Sequence, residues 1–370
     1  MIEIKTVLKK DIPHLLNTEA IWNMDFLVSS KHRLIAHYHN PNLDDEGIVL
    51  QLGYLNNELL GYIGVFTDYI NRENASEKIG WLSTWWVHPK SKGSGLGRAL
   101  LDKMYQDFNG KIGISQFTPS AKRVYDKSGY FNDFKLSEGY KFAIRSNLKN
   151  VLPLINPRFK KHNFNSIDYI FNVWFNVYNS FSERNVRKRI PKNISVDYLS
   201  EIDSETSDFI KKHQENDIFK KNAEFFNWIK RFPWILPAPL HKFSKKESYE
   251  FSMFSEEKFD YSFLKIRQNK KVIGFIVIQQ RDYNGKILFS YFDKENQKVI
   301  SDIILLHLLN TEIRDFICYD KLICDYLKTK KFFFIYKNKK VKHSIISKSF
   351  DLSEIKDLRF QYGDGDCAFA

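Results

Sequence analysis

Seventeen residues hold the densest chemistry in the chain: Trp85-Trp86-Val87-His88-Pro89-Lys90-Ser91-Lys92-Gly93-Ser94-Gly95-Leu96-Gly97-Arg98-Ala99-Leu100-Leu101. They read as the end of an apolar strand, a basic glycine-rich turn and the start of an amphipathic helix. Glycines let backbone N–H groups crowd together, and a helix start adds partial positive charge. The product is an anion cradle, most naturally for a phosphate. Three phosphate motifs fail on these residues. A dinucleotide fingerprint needs a third glycine where Arg98 stands, and a nucleotide P-loop needs Gly-Lys-Ser/Thr where Gly97-Arg98-Ala99 stands. A kinase glycine loop joins two strands, whereas this turn enters a helix.

Other chemistry-bearing groups are sparse. His37-Tyr38-His39 places two histidines at i and i+2, which on a helix share no face, so no metal is expected there. The three cysteines, Cys318, Cys324 and Cys367, fit neither a disulfide framework nor a zinc site.

The elements around the turn alternate. Residues 1–10 read as a strand, and Asp11-Ile12-Pro13 opens a helix. Residues 29–39 form a second helix, ended by Asn40-Pro41. Strands 48–55 and 59–70 flank Asn56-Asn57, a hairpin turn. Strand 78–87, the turn, a helix to about Phe108, strand 111–117, helix 119–128 capped by Gly129 and strand 138–145 complete a unit.

After Pro191 the pattern returns. Ile194–Leu199 echoes Ile2–Val7, the helix before Pro233 parallels the one before Pro41, and Val272-Ile273-Gly274-Phe275-Ile276 matches Leu59-Leu60-Gly61-Tyr62-Ile63, with Asn269 matching Asn56. This is a diverged internal duplication. In place of Lys92–Gly97 the second copy has Asp293-Lys294-Glu295-Asn296-Gln297-Lys298, without glycine, so it has no anion cradle.

At 370 residues, with 43% hydrophobic and 16% aromatic residues, two folded domains are expected. No apolar run approaches a membrane span, and the first residues lack the apolar core of a secretory signal, so the expected address is cytoplasmic. The formal charge of +13 comes mostly from scattered lysines, and Arg184–Arg189, the one dense basic cluster, reads as solvated surface. Between the halves, residues 150–192 carry an aromatic helix, 167–181, expected to pack its apolar faces as core rather than against a membrane.

Val87-His88-Pro89 through Leu101 resembles the coenzyme A pyrophosphate motif of the GNAT acyltransferase superfamily, with Lys92 where Arg or Gln is usual. Ala121-Lys122-Arg123-Val124-Tyr125-Asp126-Lys127-Ser128-Gly129-Tyr130-Phe131 resembles the second signature of that family, with Thr118 where many members have Asn. The two signatures cover residues 79–131, and the order of elements extends the resemblance over 1–148. It implies an α/β fold of two tandem GNAT-like domains, each a mixed, mostly antiparallel twisted sheet flanked by helices. Residues 1–148 would be the catalytic acyl-CoA-binding domain, 149–192 a helical connector, and 193–370 a degenerate copy that binds acceptor or is structural.

The resemblance also implies roles. Acetyl-CoA, as co-substrate, would lie where strands 78–87 and 111–117 splay. Its pyrophosphate would meet the amides of Lys92, Gly93, Ser94, Gly95, Leu96 and Gly97, with charge from Lys90, Lys92 or Arg98. An amide near Trp86 or Val87 would polarise the thioester carbonyl, and Thr118 would face the pantetheine arm. Tyr125 stands at the family's general-acid position; Glu77, Asp68 and His88 are candidate bases. The acceptor would sit by the first two helices, where Trp22, Phe26, Tyr38, Trp85 and Trp86 are mostly core. Trp228–Pro233 and Asp364-Gly365-Asp366 resemble features of bacterial surface-polysaccharide acyltransferases, which favours an amino sugar, free or nucleotide-linked, as acceptor. A protein or aminoacyl-tRNA amine and a non-catalytic CoA-binding module are the alternatives; a polyamine is disfavoured by like charge. Membrane insertion and a nucleic-acid partner are not expected.

Overall fold

The computed structural model describes residues 1–71, 76–162, 164–235, 258–330 and 334–369, without the side chains of residues 119, 120, 150, 154 and 160. The front half runs β1 (Ile2–Leu8), α1 (Ile12–Asn17), α2 (Glu19–Trp22), α3 (Lys31–Tyr38), β2 (Ile48–Leu55), β3 (Glu58–Asn71), β4 (Ser76–Val87), α4 (Leu96–Asp107), β5 (Ile112–Ile114), α5 (Pro119–Ser128) and β6 (Phe131–Ala143). A connector of α6 (Leu148–Ile155) and α7 (Asn165–Arg189) follows. The back half repeats the order as β7 (Ile194–Leu199), α8 (Ser204–His213), α9 (Ala223–Arg231), β8 (Phe259–Gln268), β9 (Lys271–Arg281), β10 (Asn284–Phe292), α10 (Gln297–Leu309), β11 (Asp315–Cys318), α11 (Lys321–Lys328) and β12 (Tyr336–Ser347).

The duplication seen in the residues recurs in backbone geometry. The hairpin β2–β3 turns on Asn56 and Asn57, with φ of 52° and 69°. The hairpin β8–β9 turns on Asn269 and Lys270, with φ of 49° and 69°. Two successive left-handed residues twist a two-residue turn to match its strands.

The halves do not close separately. The described strands form one sheet in the order β1-β2-β3-β4-β5-β12-β6-β11-β10-β9-β8-β7. Each half lends its last strand to the other: β12 lies antiparallel beside β5, and β6 lies antiparallel beside β11. The two exchanged strands pair with each other over their whole length, from Phe131↔Ser347 to Ala143↔Tyr336. The β6 strand starts at Phe131, seven residues ahead of the expected 138, because β12 supplies a partner that the residue pattern of the front half does not reveal.

The core follows from this exchange. Separate apolar clusters line the front half around Trp22, Phe26 and Trp86 and around Leu100, Met104 and Tyr125. A third cluster joins the halves, packing Phe66 and Trp81 with Phe225, Phe226, Trp228 and Phe289.

The connector helix departs from expectation. Its apolar residues do not pack as core: Trp174 is 73% exposed and Phe181 59%. The buried seam of α7 is polar instead, made by Asp168, Asn172, Asn179 and Ser182 with Val186. These side chains bond the chain after β6. Asn172 accepts from the Ser146 amide at 2.7 Å and donates to its carbonyl at 2.9 Å, and Asp168 accepts from the amides of Leu148 and Lys149. Buried backbone groups must be paired, and here α7 side chains pair them.

Candidate active site

The β4 and β5 strands run parallel for only two register pairs, Gly80↔Ile112 and Trp81↔Gly113, and then part. Beyond that point a cavity of about 250 Å³ lies between them, bordered by Leu82 to Val87 on one side and by Gln116, Phe117, Thr118, Ala121, Val124 and Tyr125 on the other. A bulge shapes its β4 wall. Gly64 pairs with Thr84 and Val65 with Leu82, which leaves Ser83 outside the ladder. Such a bulge bends the strand and turns one residue out of register. The Ser83 hydroxyl accepts a hydrogen bond from Arg33, a buried guanidinium that burial pushes down to about 10.

The glycine turn closes one end of β4. Gly93 and Gly95 adopt φ of +82° and +85°. A Cβ at either would meet nothing within 4 Å, so backbone conformation and not space demands glycine there. Gly95 caps α4 from the left-handed region. The Ser94 hydroxyl donates to the Ser91 carbonyl at 2.7 Å and accepts from the Leu96 amide at 3.2 Å, which pins the turn. The amides of Gly93, Gly95, Gly97 and Arg98 donate to no acceptor among the described residues. That is a concentration of free N–H groups at a helix N-terminus, the physical requirement for holding a phosphate. Arg98 bonds Asp102 through Nε at 2.9 Å and lies over the Tyr130 ring, so its charge is held beside the turn. Lys92 is exposed at the same turn.

Tyr125 is the titratable side chain inside the wedge. It is 4% exposed and packed between Trp85, at a ring distance of 5.4 Å, and Phe131, also at 5.4 Å. Burial raises its pKa, with a smaller push from Asp366, so the phenol keeps its proton throughout the neutral range. Thr118 caps α5 by accepting from the Ala121 amide at 3.3 Å. The Trp86 ring packs on Phe26 at 4.5 Å, on the other face of the sheet, so Trp86 meets the wedge through its backbone.

The base candidates lie elsewhere. Glu77 sits at the far end of β4, in an ion pair with Lys111 at 2.5 Å, and seven residues from Thr84, about 23 Å of extended chain. The His88 Nδ1 accepts from the Lys90 amide at 3.1 Å, and its Nε2 is 3.7 Å from Asp25. Asp68 is buried and bonded to Lys221 at 2.5 Å. None of the three borders the cavity.

Residues 364–369 reach the site in a way that the residue pattern does not place. Asp366 is half-buried and accepts from Ser115, the residue after β5. Burial raises its pKa, opposed by that bond and by Arg33. Phe369 stacks on Trp234 at 3.9 Å, and the Ala368 carbonyl accepts from Tyr261 at 2.6 Å. The acidic Asp364-Gly365-Asp366 was the only visible signal, and nothing in the sequence says that it folds back onto β4 and β5.

A parallel pair that splays beside a glycine turn is what the resemblance of the two signatures implied. Residues 15–130 match the model of the Acetyltransferase (GNAT) family. No match is found among curated proteins. A solved GCN5-related N-acetyltransferase from Anabaena variabilis is similar in structure, with a TM-score of 0.50 and 10% identity, over 94% of this chain and 72% of that one. A conserved protein of unknown function from Enterococcus faecalis is similar at a TM-score of 0.50 and 9% identity, again over 94% of this chain and 72% of that one. At such identities the likeness is one of fold. The front half carries a GNAT acetyltransferase domain, and the chain as a whole is a tandem GNAT-like α/β protein with one shared sheet.

Proposed function

We propose that the chain transfers an acetyl or other short acyl group from acyl-CoA to a primary amine, with the chemistry in residues 1–148 and the back half shaping the acceptor side. The observation that carries this reading is the wedge between β4 and β5, with the free amides of the glycine turn beside it and a protonated Tyr125 inside it. The pyrophosphate would take the free amides of Gly93, Gly95, Gly97 and Arg98, since those of Lys92, Ser94 and Leu96 are bonded within the turn. A β4 amide would donate to the developing oxyanion, either at Trp86–Val87 or at the Ser83 bulge. The amine nitrogen attacks the thioester carbon, the carbon–sulfur bond breaks, and Tyr125 gives its proton to the leaving thiolate. The proton lost by the amine passes through water, since Glu77 and His88 stand back from the wedge; pH–rate profiles of Glu77→Gln and His88→Ala separate them.

The acceptor we favour is an amino sugar, free or nucleotide-linked, for which the basic charge of the chain suits an anionic nucleotide. The cytoplasm is the compartment that supplies both substrates. A screen of amino sugars and nucleotide amino sugars with acetyl-CoA, following free thiol, tests the reading. Thiol release with one class of amine supports it. Tight CoA binding with no release for any amine makes the chain a CoA-binding module instead.

A further inference from the structure

The connector helix α7 is amphipathic the wrong way round. Its inner seam is polar, and its outer side carries Ile170, Phe171, Trp174, Val177, Tyr178 and Phe181, each between 45% and 73% exposed. At 100° per residue these six fall within about 120° of one helix face. A soluble chain has no reason to turn that face outward unless something covers it.

We propose that this face lies on an anionic lipid bilayer, with α7 in the plane of the interface. Charge and residue type decide the occupant. Arg184 is exposed at the edge of the apolar arc, Lys188 is exposed on the same face beyond Phe181, and Arg158 and Lys161 are exposed just before the helix. The two carboxylates of α7 are engaged, Asp168 in its buried seam and Glu183 with Arg187 at 2.6 Å. An aromatic face rimmed by basic residues is the composition of an interfacial helix. A second copy of a chain with a net charge of +13 would bring like charges onto like. No described helix is long and apolar enough to cross a membrane, so the helix lies on the bilayer and does not span it.

The polar seam explains how the chain tolerates this arrangement. Asn172, Asn179 and Asp168 fasten α7 to residues 144–149 by hydrogen bonds to the backbone and to Ser146. The helix is therefore held mainly by polar contacts, with Val186 its one buried apolar residue, and keeps its apolar face for the lipid. The site between β4 and β5 has no part in this, so the proposal stands apart from the acyl-transfer reading.

Flotation of the purified full chain with vesicles of phosphatidylglycerol and phosphatidylcholine (1:1), against pure phosphatidylcholine, tests it. The chain should float with the anionic vesicles, and less so as salt rises. Phe171→Ser with Trp174→Ser leaves every charge in place and should cut the bound fraction at least tenfold. Arg184→Ala with Lys188→Ala should weaken binding about fivefold per residue. All these positions are exposed, so circular dichroism and thiol release in solution should stay unchanged. Equal binding by Phe171→Ser/Trp174→Ser, equal binding to neutral vesicles, or no flotation overturns the proposal. So does a dimer in light scattering that Trp174→Ser makes monomeric, since a second copy then covers the face.

Discussion

The two wedges of this sheet are built alike and end differently. Both halves start a parallel pair on the inner side of a three-stranded meander, β4 with β5 and β10 with β11. Both carry a bulge at the same place, at Ser83 in one and at Leu288 in the other. In the front half the strands then part around a cavity. In the back half the gap is filled by the chain itself: the Gly363 amide donates to the Leu288 carbonyl at 2.9 Å, the Gln361 side chain accepts from the Ser290 amide at 2.9 Å, and Arg359 donates to the Ser290 carbonyl at 3.0 Å. The residue seven past the helix cap is Tyr125 after Thr118 but Leu327 after Asp320. Gly95 caps α4 with positive φ, whereas Asn296 leads into α10 with ordinary helical angles. A shared scaffold thus holds one open site and one closed, and a handful of side chains and a folded-back segment make the difference.

The strongest way to break that contrast is to remove the one acid. Tyr125→Phe keeps the ring that packs on Trp85 and should lower kcat by about 100-fold or more, with CoA affinity within a factor of two. The matching change in the back half, Leu327→Tyr, should create no second site, and CoA titration by calorimetry should still count one. If Tyr125→Phe leaves turnover intact, the wedge binds without this acid. Next in size is the cradle. Gly93→Ala with Gly95→Ala forces two L side chains into the left-handed region, at about 1–2 kcal/mol each. CoA affinity should drop tenfold or more, while thiol release at saturating CoA falls much less.

How much of this contrast could be read in the residues follows from what is local. The glycine turn, the Asn56 and Asn269 hairpins and the α5 helix ending at Gly129 all rest on near-neighbour geometry, and each is found where its residues placed it. The loss of the second cradle was legible for the same reason. The exchange of β6 and β12 was not, because a strand carries no mark of which distant edge it will join. The filling of the back wedge by 359–363 was hidden likewise, since Gln361 and Gly363 act through partners some 70 residues away. The connector helix misled differently. Its apolar residues have helical spacing, which says that they share a face but not which way that face points.

A pH test probes the folded-back segment. Asp364 is fully buried, and burial pushes it up to about 8 against the pull of Lys221, with Asp217 and Asp68 adding to the rise. The unfolded chain loses this proton near pH 4, while the folded chain keeps it to about 8. The folded state therefore binds more protons in between, and this group makes stability fall as pH rises across that window. Asp364→Asn removes the group and can still accept the Gln361 amide, which Asp364 now takes at 2.6 Å. Urea midpoints from pH 4 to 8 should decline less in the variant, by a difference on the order of 1 kcal/mol or more. An unchanged slope would mean that the proton is not stored there.

The smallest effect returns to the duplicated hairpins. Asn57 and Lys270 stand at equivalent turn positions, both at φ of 69°. Lysine carries the full left-handed penalty, whereas asparagine's short polar side chain offsets part of it. Lys270→Gly should thus stabilise the chain by a few tenths to about 1 kcal/mol, the gain in strain being partly cancelled by glycine's freedom in the unfolded state. Asn57→Gly should gain less. Because the two turns brace opposite ends of one sheet, a matched pair of urea midpoints compares them directly. A larger gain at Asn57 would show that the turns, alike in angle, are held differently by their halves.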